Sequence, residues 1–232
     1  MSDYGTAELR DAKVIPDVLH EGTKLAHQLT VKWPTATLDN SGKDLDREAT
    51  QPEPTLFLTP EVPKDRDDYV IIMTDPDLMS NNDLTFGQVR HWLAVNVPIR
   101  DKRELRVISP SSDVSPYIGP APLPNYVSRR PHRYVFIVAQ PRGGSGGNPT
   151  KVKVTNEDLQ ELQKEYPTFG GQQELQDLKD RWGFNAQRFM DMKGLEPVAV
   201  AYMLVGGTLK SAVDNLGMTV TAAAHKVPDP LF

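Results

Sequence analysis

Two carboxylates and two histidines stand at the ends of apolar runs in this chain. Asp75 and Asp77 bracket a proline in DPDLMS, directly after YVIIMT. His91 opens HWLAVNVP, and His132 opens HRYVFIVAQP. Strict strand alternation puts His91 on one face with Leu93, Val95 and Val97, and His132 with Tyr134, Phe136 and Val138. Asp75 continues the face of Tyr69, Ile71 and Met73 by the same count. Taken singly, each of these polar residues has an ordinary explanation, a buried group satisfied by neighbouring backbone. Three of them at strand ends point instead to one shared site.

Several chemistries suit such a site. Asp75, Asp77, His91 and His132 have the donor types of a two-histidine, carboxylate metal centre, but their spacing matches no tight ligand motif. Asp75 and His91 with a serine would make a hydrolase, yet the chain has no G-x-S-x-G elbow. RGGSGGNPT at 142–150 lacks the G-K-[ST] of a phosphate loop and reads as a linker. Two protonatable imidazoles oriented by a carboxylate, beside backbone amides of a Gly/Pro loop, suit a phosphate or carboxylate. PYIGPAPLP at 116–124 is the candidate loop.

The elements that must position these groups are mostly strands. Twenty prolines in 232 residues punctuate short extended runs. KLAHQLTVKWP (24–34), PTLFLTP (54–60), DYVIIMTDP (68–76), HWLAVNVP (91–98), RELRVIS (103–109) and HRYVFIVAQP (132–141) read as strands. No helical pattern long enough for a parallel crossover separates them, which favours antiparallel pairing. After the linker, Thr155 and Asp158 form a capping-box pattern, followed by Leu159, Leu162 and Tyr166 at helical spacing. Leu175, Leu178 and Trp182 repeat that rhythm, and Asn185 caps a helix running to a stop at Gly194. PVAVAYMLVGG (197–207) returns to strand. TAELRDAKVIPDVL near the start has a helical rhythm broken by Pro16. Strands are therefore expected near 68–75, 91–97, 132–140 and 197–204, with helices at the N-terminus and within 155–193.

Composition narrows the function. A formal charge of -5 excludes broad nucleic-acid binding, which needs a basic face; the basic SRRPHR (128–133) is local. The absence of cysteine removes disulfides, thiolate catalysis and cysteine-ligated zinc. No apolar run approaches the ~18 residues of a membrane span, and MSDYGTAELRDAK lacks a signal peptide's apolar core. A cytoplasmic protein without cofactor or metal is expected. His20, His27 and His225 lie too far apart for ligand spacing.

Three blocks together resemble the phosphatidylethanolamine-binding proteins, in particular the fungal branch that includes carboxypeptidase Y inhibitors. DPDLMS followed by RHWLAVNVP is similar to the family's first signature, YIGPAPLPNYVSRRPHRYVF to its second, and FNAQRFMDMKGLEPVAV to its late segment. The resemblance implies a mainly β fold: an antiparallel β-sandwich with a large central sheet and a few peripheral helices. It implies a single domain over 1–232, with 208–232 a peripheral C-terminal tail. It also implies a small anion pocket at strand ends, with Asp75 as orienting aspartate, Asp77 as the second acid of D-P-D, and His91 and His132 as paired imidazoles. Tyr117 and Tyr134 correspond to pocket tyrosines, and Ala121 and Pro122 to the rim. Three departures alter that rim. Met79 replaces a proline and lengthens the wall. Val89 replaces a tryptophan, opening space or exposing apolar surface. NYVSRRP replaces a glycine-rich stretch, setting Arg129 and Arg130 beside the entrance.

The resulting expectation is a non-catalytic binder of a phosphate- or carboxylate-bearing small molecule or phospholipid headgroup. Two alternatives stand beside it. One is a serine carboxypeptidase inhibitor, with a carboxypeptidase or other protein as partner. The other is a cofactor-independent acid–base enzyme using His91, His132 and Asp75 on a small metabolite.

Overall fold

A computed structural model of the chain describes residues 4–63, 65–77, 84–108, 112–122, 130–143, 151–167 and 181–207. The expected helical repeat at Leu175 and Leu178, the rim residues Met79 and Arg129, and the 208–232 tail lie outside the described residues.

The longest strands coincide with the apolar runs. In chain order the strands are β1 (Gln28–Lys32), β2 (Thr37–Leu38), β3 (Lys43–Asp44), β4 (Thr55–Thr59), β5 (Tyr69–Asp75) and β6 (Val89–Val97), then β7 (Ile99–Arg100), β8 (Glu104–Leu105), β9 (Asp113–Ser115), β10 (His132–Pro141) and β11 (Leu195–Val205). Among the described residues the helices are α1 (Thr6–Asp11), α2 (Val14–Asp17), α3 (Asn156–Gln163) and α4 (Ala186–Met192), with a short 3-10 turn at Glu48–Thr50. The expected strand at 103–109 contracts to Glu104–Leu105, because the flanking Arg103 and Arg106 are exposed and only Leu105 enters the core. The capping box is formed: Thr155 Oγ1 accepts from the Asp158 amide while Asp158 accepts from the Thr155 amide. Asn185 caps α4 through the Arg188 amide.

The strands form two sheets, ordered β2-β1-β4-β8-β7 and β3-β11-β10-β5-β6-β9. Among the described strands, pairing is antiparallel except for the two-residue contact of β3 with β11. Leu29, Val31, Leu56 and Leu58 of the smaller sheet face Ile71, Met73, Trp92, Phe136 and Met203 of the larger one, and these form the sandwich core. The other face of the larger sheet packs Val70, Ile72, Leu93, Val135 and Ile137 against Leu9, Val14 and Ile15 of α1 and α2 and Phe189 and Met190 of α4. Covering both faces explains why β5 is buried along its whole length and why YVIIMT shows no polar alternation. The fold is mainly β, a sandwich with peripheral helices. None of the described helices is long and apolar enough to cross a membrane.

One close backbone approach positions the start of β6. Gly87 has φ +71, and a Cβ there would lie 2.9 Å from Gly183 Cα. The approach lets Gln88 pair with Phe184 through reciprocal backbone bonds of 2.8 and 3.0 Å. Gly87→Ala should therefore destabilise the protein by about 1–3 kcal/mol. Urea unfolding measures this; an unchanged midpoint would show that the 181–184 segment yields at no cost.

Candidate functional site

Asp75 is the hub of the site. It ends β5 on the sandwich face and is 4% exposed. Its Oδ2 accepts a 2.9 Å hydrogen bond from His132 Nδ1, and its Oδ1 accepts a 2.7 Å bond from the Asp77 amide. The carboxylate is thus held from two sides. His132 opens β10, and Tyr134, two residues on, shares its face; the rings are stacked with centroids 6.4 Å apart.

His91 reaches the same place by a different route from the one alternation suggests. Met73 pairs with Trp92 and Thr74 with Arg90, so His91 is the extra residue of a β-bulge. Beyond the bulge, Leu93 and Val95 join the helix-covered core, whereas Trp92 and Ala94 face the sandwich. His91 parts company with Leu93 and Val95, and its ring meets Tyr134 edge-on at 5.1 Å. The face assigned to His91 from sequence is corrected accordingly. The bulge turns it towards Tyr134 and within electrostatic reach of Asp75.

Both imidazoles are anchored through Nδ1. His91 Nδ1 donates to the Ile118 carbonyl at 2.9 Å, and the Ile118 amide donates back to the His91 carbonyl at 3.0 Å. These bonds define the tautomers and leave each Nε2 without a hydrogen-bond partner among the described residues. Between the two rings, the Tyr134 hydroxyl is buried beside Asp75 and the Ala121 amide without a well-formed hydrogen bond.

Other candidate residues are placed differently. Asp77 is fully buried, and Arg133 takes both its oxygens: the Arg133 amide and Nε donate to Oδ2 at 2.8 and 2.9 Å, and Nη2 to Oδ1 at 2.7 Å. Its carboxylate holds Arg133 while its amide holds Asp75. The Tyr117 hydroxyl donates to Thr50 O at 2.6 Å and accepts from Trp33 Nε1 at 3.3 Å, within the sandwich. Burial pushes that phenol far up. Ala121 and Pro122 continue the loop from Pro120, whose carbonyl accepts from Arg47 Nε at 3.1 Å and Gln51 Nε2 at 3.0 Å. Val89 is 7% exposed and leaves no apolar surface; Arg130 is exposed. Arg47, Gln51 and the Ile118 carbonyl were missed from sequence, since no motif links the 47–51 turn to a loop some seventy residues later.

Burial and the Asp75 charge balance differently at the two histidines and favour opposite states. Burial holds His91 below the ordinary histidine value, against the pull of Asp75 and the Ile118 bond. Burial also acts downward on His132, but the Asp75 charge and hydrogen bond outweigh it and the net shift is upward. For Asp75, burial acts upward and is overcome by the charge and hydrogen bond of His132, leaving it below the usual carboxylate value. Burial raises Tyr134 well above its ordinary value, and the Asp75 charge adds to this. The arrangement is one carboxylate–imidazole pair, one neutral imidazole and a protonated phenol. Among the described residues, no group of three or more His, Asp or Glu side chains is arranged to hold a metal ion.

Comparison with known proteins agrees with this architecture. The uncharacterized protein YLR179C of Saccharomyces cerevisiae is 28% identical over 167 residues, spanning 66% of this chain and 78% of its own. The carboxypeptidase Y inhibitor of the same yeast is 24% identical over 181 residues, 65% and 81% of the two chains. Among solved structures, a carboxypeptidase Y inhibitor complexed with its cognate proteinase superposes with a TM-score of 0.62 at 19% identity, covering 89% of this chain and 98% of that one. A phosphatidylethanolamine-binding protein from Plasmodium vivax gives 0.62 at 20% identity, covering 90% and 100%. The sequence model of the phosphatidylethanolamine-binding proteins matches residues 17–200, and the chain belongs to that family.

Proposed function

We propose that the chain is a non-catalytic binder of small anions, taking a phosphate or carboxylate between His91 and His132. The observation that carries this reading is the pair of Nδ1-anchored imidazoles on either side of the buried Tyr134 hydroxyl. An anion there receives hydrogen bonds from both Nε2 atoms, once protonated, and from the phenol. Asp75 contributes indirectly by favouring the protonated form of His132. A phospholipid headgroup and a free phosphate offer the same oxygens, so they are separated by experiment rather than by geometry.

Calorimetric titration of the full chain with inorganic phosphate, phosphoethanolamine and acetate is the test. Saturable binding that weakens about tenfold or more in His91→Ala and in His132→Ala is expected. Phosphoethanolamine binding well above phosphate would favour the lipid headgroup. Heats that are indifferent to both substitutions would sink the proposal. The relationship to a carboxypeptidase Y inhibitor supports a second reading, inhibition of a serine carboxypeptidase. Assaying carboxypeptidase Y with the same preparations decides whether the two activities coexist.

A further inference from the structure

The loop that anchors His91 is itself fastened to a distant turn. Between β3 and β4 the chain makes the 3-10 turn at Glu48–Thr50, and Asp46 closes its start by accepting from the Glu48 and Ala49 amides at 2.8 and 3.1 Å. Residues of the 117–120 loop meet this turn in succession. The Tyr117 hydroxyl donates to Thr50 O at 2.6 Å. Gly119 lies so close to Gln51 that a Cβ there would come within 2.8 Å of Gln51 Cα. The Pro120 carbonyl accepts from Gln51 Nε2 at 3.0 Å and from Arg47 Nε at 3.1 Å. Gln51 Nε2 also donates to the Arg47 carbonyl at 3.0 Å, so one amide group ties the turn to itself and to the loop.

The residues between and after these fastenings serve the site. Ile118 directs both backbone groups at His91, its carbonyl accepting from Nδ1 at 2.9 Å and its amide donating to the His91 carbonyl at 3.0 Å. The Ala121 amide stands beside the Tyr134 hydroxyl. Loop residues 117, 119 and 120 thus bind the turn, while 118 and 121 face the histidine site. Because the peptide units are rigid, a shift of Gly119 or Pro120 carries the Ile118 carbonyl with it. That carbonyl matters most when His91 is protonated, since a hydrogen bond from a charged donor is roughly twice as strong as one from a neutral donor.

We propose that Gln51 is a positioning residue for the anion site: with Arg47 and Gly119 it holds the 117–121 loop so that the Ile118 carbonyl fixes the His91 ring and aims its Nε2 at the anion. This rests on the reading of the two histidines as that site. Gln51 bonds the turn and the loop, and acts on the anion only through His91. It is also the cleanest of the braces to remove. Arg47 Nη1 pairs with Glu48 as well, whereas the Gln51 amide is neutral and its replacement changes no charge. The titratable and charged groups facing His91 are Asp75, His132, Arg181 and, edge-on to its ring, Tyr134. A substitution at Gln51 leaves all four in place.

Gln51→Met keeps the length of the side chain and loses both amide hydrogen bonds. Sulfate affinity of the full chain at about pH 6 should fall roughly three- to tenfold. In a His91→Ala background the same substitution should change it by less than about twofold, because its effect runs through His91. Nitrogen NMR of the imidazoles, followed against pH without ligand, should show His91 titrating at lower pH in Gln51→Met, since its Nδ1–H loses a well-placed acceptor, and His132 unmoved. Gly119→Ala, which pushes the loop off the turn, should act in the same direction and keeps the test decisive if Arg47 alone can hold Pro120. A sulfate affinity unchanged by both substitutions, an equal loss in the His91→Ala background, or a His91 titration that stays in place would overturn the proposal. If the unsubstituted chain takes up no sulfate, the anion reading fails separately, and the His91 titration alone decides whether Gln51 holds the ring.

Discussion

Arg133→Ala should destabilise the protein by about 3–5 kcal/mol, more than any single substitution at the histidines. Asp77 is fully buried and relies on Arg133 for three hydrogen bonds; the backbone amide survives the substitution and the two guanidinium bonds do not. The same guanidinium bonds the Ala12 carbonyl at 2.7 Å and pairs with Asp17 at 3.0 Å. It therefore ties the N-terminal segment and the D-P-D corner to β10. Removing it takes the guanidinium charge and two hydrogen bonds from a carboxylate in the interior and frees two further acceptors. Asp77→Asn should cost a comparable amount through the opposite imbalance. The double variant Arg133→Met/Asp77→Leu should cost less than the sum, because an apolar replacement leaves no buried charge. Urea unfolding of the three variants checks this. A loss below about 1 kcal/mol for Arg133→Ala would mean that water reaches Asp77. Asp75 should also be affected, since the Asp77 amide is one of its two anchors.

Anion affinity should fall about 100-fold or more between roughly pH 6 and pH 8, if each lost charged histidine costs about tenfold. Sulfate is the appropriate probe, because its charge is constant over that range. A bound anion favours both protonated imidazoles. Asp75 favours the protonated form of His132 despite its burial, and burial disfavours that of His91, so proton uptake on binding falls mainly on His91. Affinity is consequently lost as the pH climbs through the two values in the complex. Binding should take up close to one proton near neutrality, visible as a dependence of the heat on buffer ionisation enthalpy.

Stability without ligand moves in opposite senses for the two residues. The raised His132 contributes stability that is complete below the unfolded value of about 6.5 and is lost as the pH rises through its folded value. The depressed His91 gives a contribution that is complete above about 6.5 and is lost as the pH falls through its folded value. Removing His91 alone should therefore flatten the acid side of the stability curve, and removing His132 the alkaline side. Equal sulfate affinity at both pH values would show that the imidazoles are structural.

Much of this molecule is written locally. YVIIMT and RYVFIVA are strands by composition alone, because β-branched and aromatic residues suit a pleated surface buried on both sides. The capping box at Thr155 and Asp158 and the cap at Asn185 depend on residues three apart, so their sequence reading holds in the structure. The polar residues at strand ends were legible for the same reason, and Asp75, His132 and Tyr134 follow from simple alternation. The sequence by itself determined the long strands, the caps and the identity of the polar cluster.

The tertiary structure decided where those groups point. His91 changes face through a bulge whose existence depends on how β6 registers against β5, a pairing that local periodicity does not encode. The side chains of Asp77 and Tyr117 are engaged by long-range partners, Arg133 for one and Thr50 with Trp33 for the other, which no local pattern specifies. In each case the deciding contact joins residues far apart along the chain. Its free energy exists only once the intervening chain has folded, which is why no local pattern announces it.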